Sequence, residues 1–356
     1  MLTDDIKNAI KKLKIEDIEM KGISKIGEGA WHSVYRIERI VEEDIVIRIK
    51  KKKAYGQLQE FKELDLKNEY ESSKAYYELA NECSANICPS FFKYILDESM
   101  VFTVETFMGE GMRLQSLNDF EAYTLGKKLG IFFQAIHGVT PGIKGFGNLV
   151  WNGKHLEGSM QKDPAQIWQS DNDYYIDVMN KLIATDLEFD RDSIVERILT
   201  IIQKRRGNQQ SISLVNQDVT PENIIFDSHN VSLIDPFPRL DFDLKYAGYF
   251  VFCYKFLLTA YSDAPRYQKN QYNELDDVLS KIADGFIYGY IDEKEYLYQR
   301  IMDEYILWTL LETYDHHEIS NKENLSYKTM LQMGNKDIIN QRLKLCLEQL
   351  VKLCKD

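Results

Sequence analysis

Hydrophobic and polar positions alternate along the first part of the chain in the way that is typical of β-strands. Alternating runs occupy residues 23–50, where a short turn separates them, and two further strand-like runs cover 91–96 and 100–107. Short strands need several neighbours before they can bury one face of a sheet. The pattern therefore predicts a small β-rich lobe over residues 1–107.

Helical spacing occurs at two places within this lobe and dominates after it. Near the N-terminus Ile6, Ile10 and Leu13 share one helical face, and the segment KELDLKNEYESSKAYYELA places Tyr70 and Tyr77 on one side together with Leu66. Beyond residue 108, helices are predicted over 117–138, about 172–206, 244–262, 270–315 and 327–354.

The change of pattern predicts two domains. Gly109 and Gly111 form a flexible crossing point between the strand-like and the helical parts. We therefore predict an N-terminal lobe over 1–107 and a C-terminal helical lobe over 108–356. The predicted fold class is α+β, with a small β-rich N-lobe and a larger helical C-lobe.

The segment VNQDVTPENIIFDSHNVSLIDPF predicts a β-hairpin that carries oxygen ligands at its open end. The run from Ile224 and the run that ends at Ile234 are joined by the polar turn DSHN. Asn223 before the first strand and Asp235 after the second then emerge at the same end, where their oxygens suit Mg²⁺. Asp218 lies on the entering loop and could orient a hydroxyl nucleophile. The alternative for such residues is that they only cap or turn the chain.

A glycine-bearing turn and a strand cation suggest a phosphate site in the N-lobe. Gly27 and Gly29 would let backbone N–H groups approach phosphate oxygens, although a plain hairpin turn is the better explanation of a lone G-x-G. In the strand DIVIRIK, Arg48 and Lys50 share the face opposite the isoleucines. Glu69, on the following helix, could pair with the strand cation or form a surface salt bridge with a neighbouring lysine.

Composition and charge narrow the classes of partner. With 44% hydrophobic and 28% charged residues among 356, the chain predicts a globular protein without disordered tracts. The net charge of −12 disfavours nucleic acid and anionic membrane surfaces as partners and favours cationic or neutral ligands. No run reaches the length of a membrane span, and neither export nor anchoring is expected. The five cysteines form no C-x-x-C pair, which predicts a reduced, cytoplasmic protein without a zinc site.

These motifs together resemble the aminoglycoside phosphotransferase and choline kinase family, the small-molecule branch of the protein-kinase-like fold. The family's catalytic segment reads H-G-D-L-H-P-x-N, followed by a strand, a turn and I-D. NQDVTPEN here keeps the Asp, Pro and Asn, and LID supplies the last Asp. The resemblance implies that Asp218 is the catalytic base or orients the hydroxyl, and that Asn223 and Asp235 bind Mg²⁺.

The resemblance implies that the N-lobe, 1–107, binds nucleotide and that the C-lobe, 108–356, is the catalytic and substrate lobe, and it also assigns residues of the N-lobe. The family's V-L-R strand is similar to VIR here, which makes Arg48 the better match for the phosphate-contacting cation, with Lys50 as the rival. Glu69 resembles the helix glutamate that pairs with this cation. The full set of expected nucleotide-binding residues is Gly27, Gly29, Arg48, Lys50, Glu69, Glu105 and Phe107. In the helical lobe, Asp243 resembles a residue that braces the catalytic loop, and His137 resembles the histidine that ends a family helix.

The sequence departs from the family pattern at several positions. His32 stands where the third glycine of a protein-kinase loop would be, and Asn216, Gln217 and Thr220 replace the usual His, Gly and second His of the catalytic segment. No metal ligand and no proposed base is lost. The departures nevertheless leave an inactive, nucleotide-binding homologue as an alternative to an enzyme.

The expected activity is transfer of the γ-phosphoryl group of ATP or GTP to a hydroxyl group of a small molecule, with Mg²⁺ as cofactor. An atypical protein kinase is a further alternative, but the chain contains no H-R-D, D-F-G or A-P-E motif. Acidic and aromatic residues of the helical lobe suit a cationic acceptor such as an amino sugar or choline, unless they form only a helix surface. These residues are Tyr249, Tyr254, Tyr261, Asp263, Glu274, Asp276 and Asp277.

Overall fold

The computed structural model describes residues 4–13, 20–29, 31–54, 57–227 and 229–355. By mutual packing the chain divides into two compact units. The first unit comprises Met1–Met112, Leu149–Glu157 and Pro221–Pro238, and the second comprises Arg113–Asn148, Gly158–Thr220 and Arg239–Asp356. The first unit therefore contains two segments that come from beyond residue 108.

The helices and strands are numbered in chain order. From the N-terminus they are α1 (Asp4–Leu13), β1 (Met20–Glu28), β2 (His32–Arg39), β3 (Ile45–Lys50), β4 (Lys53–Ala54), β5 (Gln57–Leu58), α2 (Glu63–Cys83), β6 (Phe92–Ile95), β7 (Phe102–Thr106), α3 (Asp119–His137), β8 (Phe146–Trp151) and β9 (Leu156–Met160). They continue with α4 (Pro164–Ile183), α5 (Arg191–Arg206), β10 (Ile212–Asn216), β11 (Ile224–Phe226), β12 (Val231–Leu233), β13 (Pro238–Phe242), α6 (Asp243–Phe252), α7 (Leu258–Ala260), α8 (Asp276–Ile291), α9 (Tyr296–Ser320), α10 (Tyr327–Met333) and α11 (Lys336–Lys355).

Five strands of the first unit form an antiparallel sheet in the order β1-β2-β3-β7-β6. Its core forms where α1 packs Ile6 against Ile37, Ile47 and Phe102, each of which is fully buried. Burial of one such side chain stabilises the fold by about 2 kcal/mol. Because successive residues of a strand point to opposite faces, these contacts leave Arg48 and its same-face neighbours on the other side of the sheet.

The predicted hairpin is confirmed as β11 and β12. Ile224 pairs with Leu233, and Phe226 pairs with Val231. The carboxylate of Asp227 accepts hydrogen bonds from the backbone N–H groups of the turn, and the Leu233 N–H donates to the carbonyl oxygen of Ile87 at 2.7 Å. The hairpin is thereby attached to the segment that follows α2.

Three of the long predicted helices are interrupted. The run predicted over 172–206 consists of α4 and α5, each of which begins after an aspartate that caps its first turn, Asp163 and Asp190. The run predicted over 270–315 is broken after α8, and Gly334 separates α10 from α11 in a left-handed conformation with φ of +93°. Apolar periodicity continued across these breaks, so it gave no signal of them. Among the described helices, none is both long enough and apolar enough to cross a membrane.

Four strands that the sequence pattern did not predict form a second sheet in the order β10-β13-β8-β9. A local signal for β8 and β9 was present, because Asn152-Gly153 is a dipeptide that favours tight hairpin turns. Gly153 has a φ of +96°, a value that side chains disfavour. The helical pattern of the surrounding segments concealed the short strands on either side of this turn.

A buried cluster of charges joins four helices of the second unit. The Arg205 guanidinium contacts the carboxylates of Glu304 at 2.7 Å and Asp171 at 3.0 Å, and the ammonium of Lys245 contacts Asp171 at 2.6 Å. Arg205 and Glu304 are 5% and 1% exposed. Because an unpaired charge at such depth costs several kcal/mol, each of these side chains depends on the others.

The helices α3 and α8 approach each other closely enough for their backbones to touch. Gly126 and Gly130 on α3 face Gly285 and Gly289 on α8. A Cβ atom added at Gly130 would lie 2.1 Å from the carbonyl oxygen of Phe286 and 2.7 Å from a backbone nitrogen. Glycine is therefore required at this crossing by packing, although it is a poor helix former.

We expect Gly130→Ala to destabilise the protein by about 3 kcal/mol, since backbone atoms cannot yield to the added methyl group. Helix propensity alone would predict the opposite sign, a gain of about 1 kcal/mol. Denaturant unfolding measures the difference, with Gly142→Ala as the matched control because a Cβ atom there has no neighbour within 4 Å. Equal stability of the two variants would show that the helices can separate at no cost.

Candidate functional site

The open end of the hairpin brings together Asn223 and Asp235, both in the first unit. The Ile234 N–H donates a hydrogen bond of 3.0 Å to the carbonyl oxygen of Asn223, which closes the hairpin at this end. Asp235 follows in the left-handed region with φ of +51°, a conformation that non-glycine residues adopt at a cost of about 1 kcal/mol. The two residues therefore present an amide and a carboxylate at one end of the hairpin, as the sequence pattern predicts.

A buried ion pair lies against Asp235. The Arg48 guanidinium donates from Nε to Oε1 of Glu105 at 2.6 Å, and its Nη1 lies 3.7 Å from Oδ2 of Asp235. The side chains of Arg48 and Glu105 are 12% and 3% exposed. Burial alone would lower the pKa of Arg48, but the charges of Glu105 and Asp235 outweigh it and raise that pKa. Arg48 is therefore a permanent cation that is held by two carboxylates.

Tyr77 connects the ion pair to the backbone of Asp235. Its hydroxyl lies 3.2 Å from Oε2 of Glu105 and accepts a hydrogen bond of 3.0 Å from the Asp235 N–H. Burial raises the pKa of Tyr77 well above its ordinary value, so the phenol keeps its proton. The sequence pattern gave no signal of this contact, because it identified Tyr77 only as part of the apolar face of α2.

The expected pairing of Arg48 with Glu69 is wrong. Glu69 on α2 instead contacts the ammonium of Lys50 at 2.9 Å, whereas Arg48 is matched by Glu105 on β7. Lys50 lies two residues further along the same face of β3, where α2 can reach it. The partner of the helix glutamate is therefore the rival cation, and the rings of Trp31 and Tyr70 lie 5.9 and 5.8 Å from its nitrogen.

The glycine turn is the hairpin connection between β1 and β2. The Gly29 N–H donates to the carbonyl oxygen of His32 at 2.9 Å, and the Lys51 ammonium donates to the carbonyl oxygen of Gly29 at 2.8 Å. Neither glycine is required by packing: an added Cβ would lie 3.6 Å from Val34 at Gly27 and 3.9 Å from His32 at Gly29. The backbone at this turn is accessible where a side chain could have been accommodated.

His32 lies directly opposite Lys50 in the β2–β3 register. Among the described residues, its Nε2 is a buried nitrogen without a hydrogen-bond partner. Burial lowers the pKa of His32 to about 4, because it disfavours the charged ring, and the nearby cations Lys50 and Arg48 act in the same direction. The residue in place of the third glycine is therefore a neutral imidazole beside the two strand cations.

Phe107 lies just beyond β7, after Glu105. Its ring stands 4.3 Å from the guanidinium carbon of Arg36, and its N–H donates to the carbonyl oxygen of Asp44.

The first unit also contains a cavity of about 570 Å³ beside Lys50, lined elsewhere by side chains that include Tyr35. Neither Asn223 nor Asp235 lines that cavity, so the hairpin end that carries these two residues is separate from the cavity.

The oxygen atoms of Asn223 and Asp235 fit a hard divalent cation that takes its remaining ligands from phosphate and water. Across the described ranges, no group of three or more His, Cys, Asp and Glu side chains could hold a metal by protein atoms alone. Arg48 lies near Oδ2 of Asp235, which makes the other carboxylate oxygen the better placed ligand. The residues therefore suit a cation shared with a bound phosphate.

Asp218 belongs to the second unit, on the loop that leaves β10. Its Oδ1 accepts a hydrogen bond of 3.0 Å from the Thr220 hydroxyl, and its backbone N–H donates to Oδ1 of Asn216 at 3.0 Å. The Asn216 amide also donates to the carbonyl oxygen of Asp218 at 3.3 Å. Two of the residues that depart from the family pattern thus hold the main chain and the carboxylate of Asp218.

The third departure, Gln217, is anchored as well. Its side-chain oxygen lies 3.4 Å from the Arg239 guanidinium and 3.5 Å from the Tyr246 hydroxyl. The Tyr254 hydroxyl donates to the carbonyl oxygen of Val219 at 3.0 Å. The loop is therefore fixed by side chains of β13 and of the helical segment that begins with α6.

Several residues expected to contact a cationic acceptor are occupied by internal contacts. Tyr254 is fully buried and holds the loop, Asp263 is paired with Arg342, and the Tyr261 hydroxyl donates to Glu312 at 2.6 Å. Asp276 accepts a hydrogen bond from the Thr259 hydroxyl. These four side chains make contacts within the helical part. Their presence is therefore explained without a role in acceptor binding.

Two further residues singled out in the helical part are also internal. Asp243 is the first residue of α6, and its carboxylate accepts a hydrogen bond of 2.8 Å from the Leu244 N–H. Burial raises the pKa of Asp243 to about 6. His137 ends α3 with 3% of its surface exposed, and its Nδ1 lies 3.0 Å from the Tyr290 hydroxyl.

Comparisons with known proteins find similarity in the structure but none in the sequence. No protein-family model matches this sequence, and no curated protein matches it. The crystal structure of aminoglycoside phosphotransferase APH(4)-Ia is similar, with 14% identity and a TM-score of 0.56 over 98% of this chain and 99% of that chain. A thermostable mutant of that phosphotransferase, in ternary complex with AMP-PNP and hygromycin B, has 14% identity and a TM-score of 0.55 over 97% and 98% of the two chains.

Ethanolamine and choline kinases are also among the structural neighbours. An ethanolamine kinase from Plasmodium vivax has 13% identity and a TM-score of 0.48, over 97% of this chain and 87% of that chain. At such identities the likeness shows the fold alone. The likeness to APH(4)-Ia confirms the predicted α+β fold class of the kinase-like type, with a β-rich N-terminal part and a helical C-terminal part.

Burial of His137 predicts a pH dependence of stability. The pKa of His137 is lowered by burial from 6.5 to about 3, so below pH 6.5 the unfolded chain binds a proton that the folded chain excludes. The contribution of the neutral ring is complete above pH 6.5 and is lost as the pH falls, by about 1.4 kcal/mol per unit. Urea unfolding at pH 7, 6 and 5 should show a shallower acid slope for His137→Gln than for wild type, and His155→Gln, an exposed histidine, is the control. Identical slopes for all three would contradict the burial of the ring.

Proposed function

We propose that this protein is a Mg²⁺-dependent phosphotransferase that moves the γ-phosphoryl group of ATP or GTP to a hydroxyl group of a small molecule. The observation that carries the proposal is the convergence of Asn223 and Asp235 at the open end of the hairpin, in the same unit as the Lys50–Glu69 pair. Metal-binding oxygens and a positioned strand cation are the parts that phosphoryl transfer requires.

Each residue of the first unit has a distinct proposed role. Asn223 and Asp235 would bind Mg²⁺, which when bound neutralises charge on the phosphate oxygens. Lys50 would contact a phosphate oxygen, and Glu69 would hold the ammonium in place. Arg48 is assigned to the support of Asp235 rather than to the nucleotide, because its guanidinium lies between the carboxylates of Glu105 and Asp235.

The glycine turn supports a phosphate-binding role for β1 and β2. Packing would tolerate a Cβ atom at Gly27 and at Gly29, so the absence of side chains is better explained by the approach of a ligand to the backbone. Glu105 and Phe107 remain part of the proposed nucleotide-binding set. The neutral ring of His32 adds a polar group on the same face as Lys50.

Asp218 is the proposed base. Its carboxylate would accept the proton of the acceptor hydroxyl while that oxygen forms the new bond to the γ-phosphorus and the bond from the γ-phosphorus to the bridging oxygen breaks. The products are the phosphorylated acceptor and the nucleoside diphosphate, and the proton is released from Asp218 afterwards. The Thr220 hydroxyl holds one carboxylate oxygen during this step.

The acceptor class follows from charge and from the neighbouring structures. The net charge of −12 favours a cationic or neutral ligand, and APH(4)-Ia binds AMP-PNP together with hygromycin B. We propose an amine-bearing alcohol, such as an amino sugar, as the acceptor. Of the acids expected to contact a cationic acceptor, Glu274 and Asp277 are exposed and are candidates for an ion pair with its amine.

The alternatives receive less support. A protein kinase needs a long segment after the metal-binding aspartate, but β13 begins at Pro238, and only Pro236 and Phe237 separate it from Asp235. An inactive homologue would be expected to have lost support for its loop. Asn216, Gln217 and Thr220 instead hold the loop around Asp218 by their own hydrogen bonds.

We expect Asp218→Asn to lower turnover about 10²- to 10⁴-fold, the usual contribution of a general base, while nucleotide affinity stays within a few fold of wild type. Turnover is measured as nucleoside diphosphate release in a screen of amino sugars, amino alcohols and other hydroxyl acceptors with Mg²⁺ and either ATP or GTP.

The matched control for this variant is Asp173→Asn, which removes an exposed carboxylate from a surface pair with Arg206 and should change little. Wild-type protein that transfers phosphate to no acceptor in the screen, with Asp218→Asn behaving identically, would refute the enzyme and leave a nucleotide-binding protein.

Lys50→Gln should weaken nucleotide binding about tenfold, since it removes the charged donor proposed to contact phosphate. Lys53→Gln removes an exposed charge from the same basic segment and should have little effect. Isothermal titration of ATP or GTP compares the three proteins. Equal loss in the two variants would mean that only the general positive charge of this segment matters and would overturn the role of Lys50.

A further inference from the structure

Four residues of the first unit, Arg48, Glu105, Tyr77 and Asp235, form a closed ring of polar contacts. Arg48 donates to Glu105, the Tyr77 hydroxyl contacts Glu105, the Asp235 N–H donates to the Tyr77 oxygen, and the Asp235 carboxylate faces Arg48 again. Asp235 is therefore held twice, by its carboxylate and by its backbone. We infer that Tyr77, on α2, is a positioning residue that fixes the carboxylate of Asp235 for metal binding, an inference that rests on the proposed function.

The directions of the two hydrogen bonds at Tyr77 follow from chemistry. A backbone N–H can only donate, so the tyrosine oxygen accepts from Asp235 at 3.0 Å. Its single proton is then directed at Oε2 of Glu105, 3.2 Å away, which is a carboxylate oxygen and accepts. The hydroxyl is the one atom that relays the buried ion pair to the main chain of Asp235.

The conformation of Asp235 explains why its backbone needs such support. Its φ of +51° lies in the left-handed region, where a residue with a side chain is less stable than in the extended region. Without a partner for its N–H, the residue would relax toward a more favourable φ and turn its carboxylate away from Asn223. The hydrogen bond from Tyr77 stabilises the strained conformation at the point where the metal ligand leaves the chain.

The position of Tyr77 also links two parts of the proposed site. Glu69, which holds Lys50, lies on the same helix, two turns before Tyr77. Tyr77 and Glu105 are 3% and 2% exposed, so water could not easily replace the contact between them if it were removed. One helix thus positions both the phosphate cation and the metal ligand.

The test is the Tyr77→Phe variant, which removes one oxygen atom. Isothermal titration compares nucleotide affinity with and without Mg²⁺. In wild type Mg²⁺ should increase the affinity, and in Tyr77→Phe this Mg²⁺-dependent increase should fall about tenfold, while affinity without Mg²⁺ stays within about twofold. A purely structural role would lower both affinities together, and that result would overturn the inference.

A matched control is Tyr175→Phe in the second unit. The Tyr175 hydroxyl is fully buried, and among the described residues it has no hydrogen-bond partner, so its removal should leave the Mg²⁺-dependent increase unchanged. If wild type gains no affinity from Mg²⁺, the proposed metal site fails, and this inference fails with it. If wild type gains affinity and Tyr77→Phe keeps all of it, the positioning role alone is overturned.

A measurement on the wild-type protein tests the same contact without any variant. Hydrogen exchange of the Asp235 N–H should be slow in the absence of nucleotide, although the residue lies outside β12, because a buried hydroxyl accepts a hydrogen bond from it. Exchange as fast as that of an exposed loop amide would overturn the inference even if Tyr77→Phe did not fold.

Discussion

A guanidinium beneath a β-sheet must be matched by a carboxylate, and in this protein the match of Arg48 with Glu105 organises the face of the sheet on which the candidate site lies. Because Glu105 pairs with Arg48, Glu69 on α2 pairs with Lys50. The second oxygen of Glu105 holds Tyr77, and Tyr77 holds the backbone of Asp235. Loss of the Arg48 charge would leave Glu105 buried without its ionic partner, which typically costs 3–5 kcal/mol. The arrangement of both proposed ligand-binding groups therefore depends on one ion pair.

The loop around Asp218 departs from the family's usual sequence but is held by hydrogen bonds of its own side chains. A histidine and a glycine are absent from the positions before Asp218, yet Asn216 bonds to the main chain of residue 218 on both sides, through its amide and its carbonyl oxygen. Thr220 supplies a hydroxyl where the family pattern has an imidazole, and it reaches the carboxylate itself. The residues that depart from the family pattern therefore take part in hydrogen bonds that fix this loop.

Local patterns predicted what local geometry determines. The hairpin from Ile224 to Leu233 was predictable because strand, turn and strand follow one another and the register places Asn223 and Asp235 together. The partner of Glu69 was not, since the choice between Arg48 and Lys50 depends on Glu105, which reaches β3 from a strand far along the chain. Alternation could show that both cations share a face, but not which of them α2 can reach. The close approach of α3 and α8 at Gly130 was equally hidden, because glycines in a helix look like defects until the neighbouring backbone is known.

The division of the chain between the units has a consequence for how the protein is made. The sheet and α2 belong to Met1–Met112, but the hairpin that pairs with Ile87 and contacts Tyr77 is supplied by Pro221–Pro238. On the ribosome, the sheet can form early with Tyr77 and Glu105 already in place, but their partner at Asp235 emerges only after α3, α4 and α5 have been synthesised. The hydrogen bonds of the first unit are therefore complete only after the segments Arg113–Asn148 and Gly158–Thr220 of the second unit have been translated. Expression of residues 1–112 alone would yield a fragment whose buried tyrosine hydroxyl has lost its natural donor.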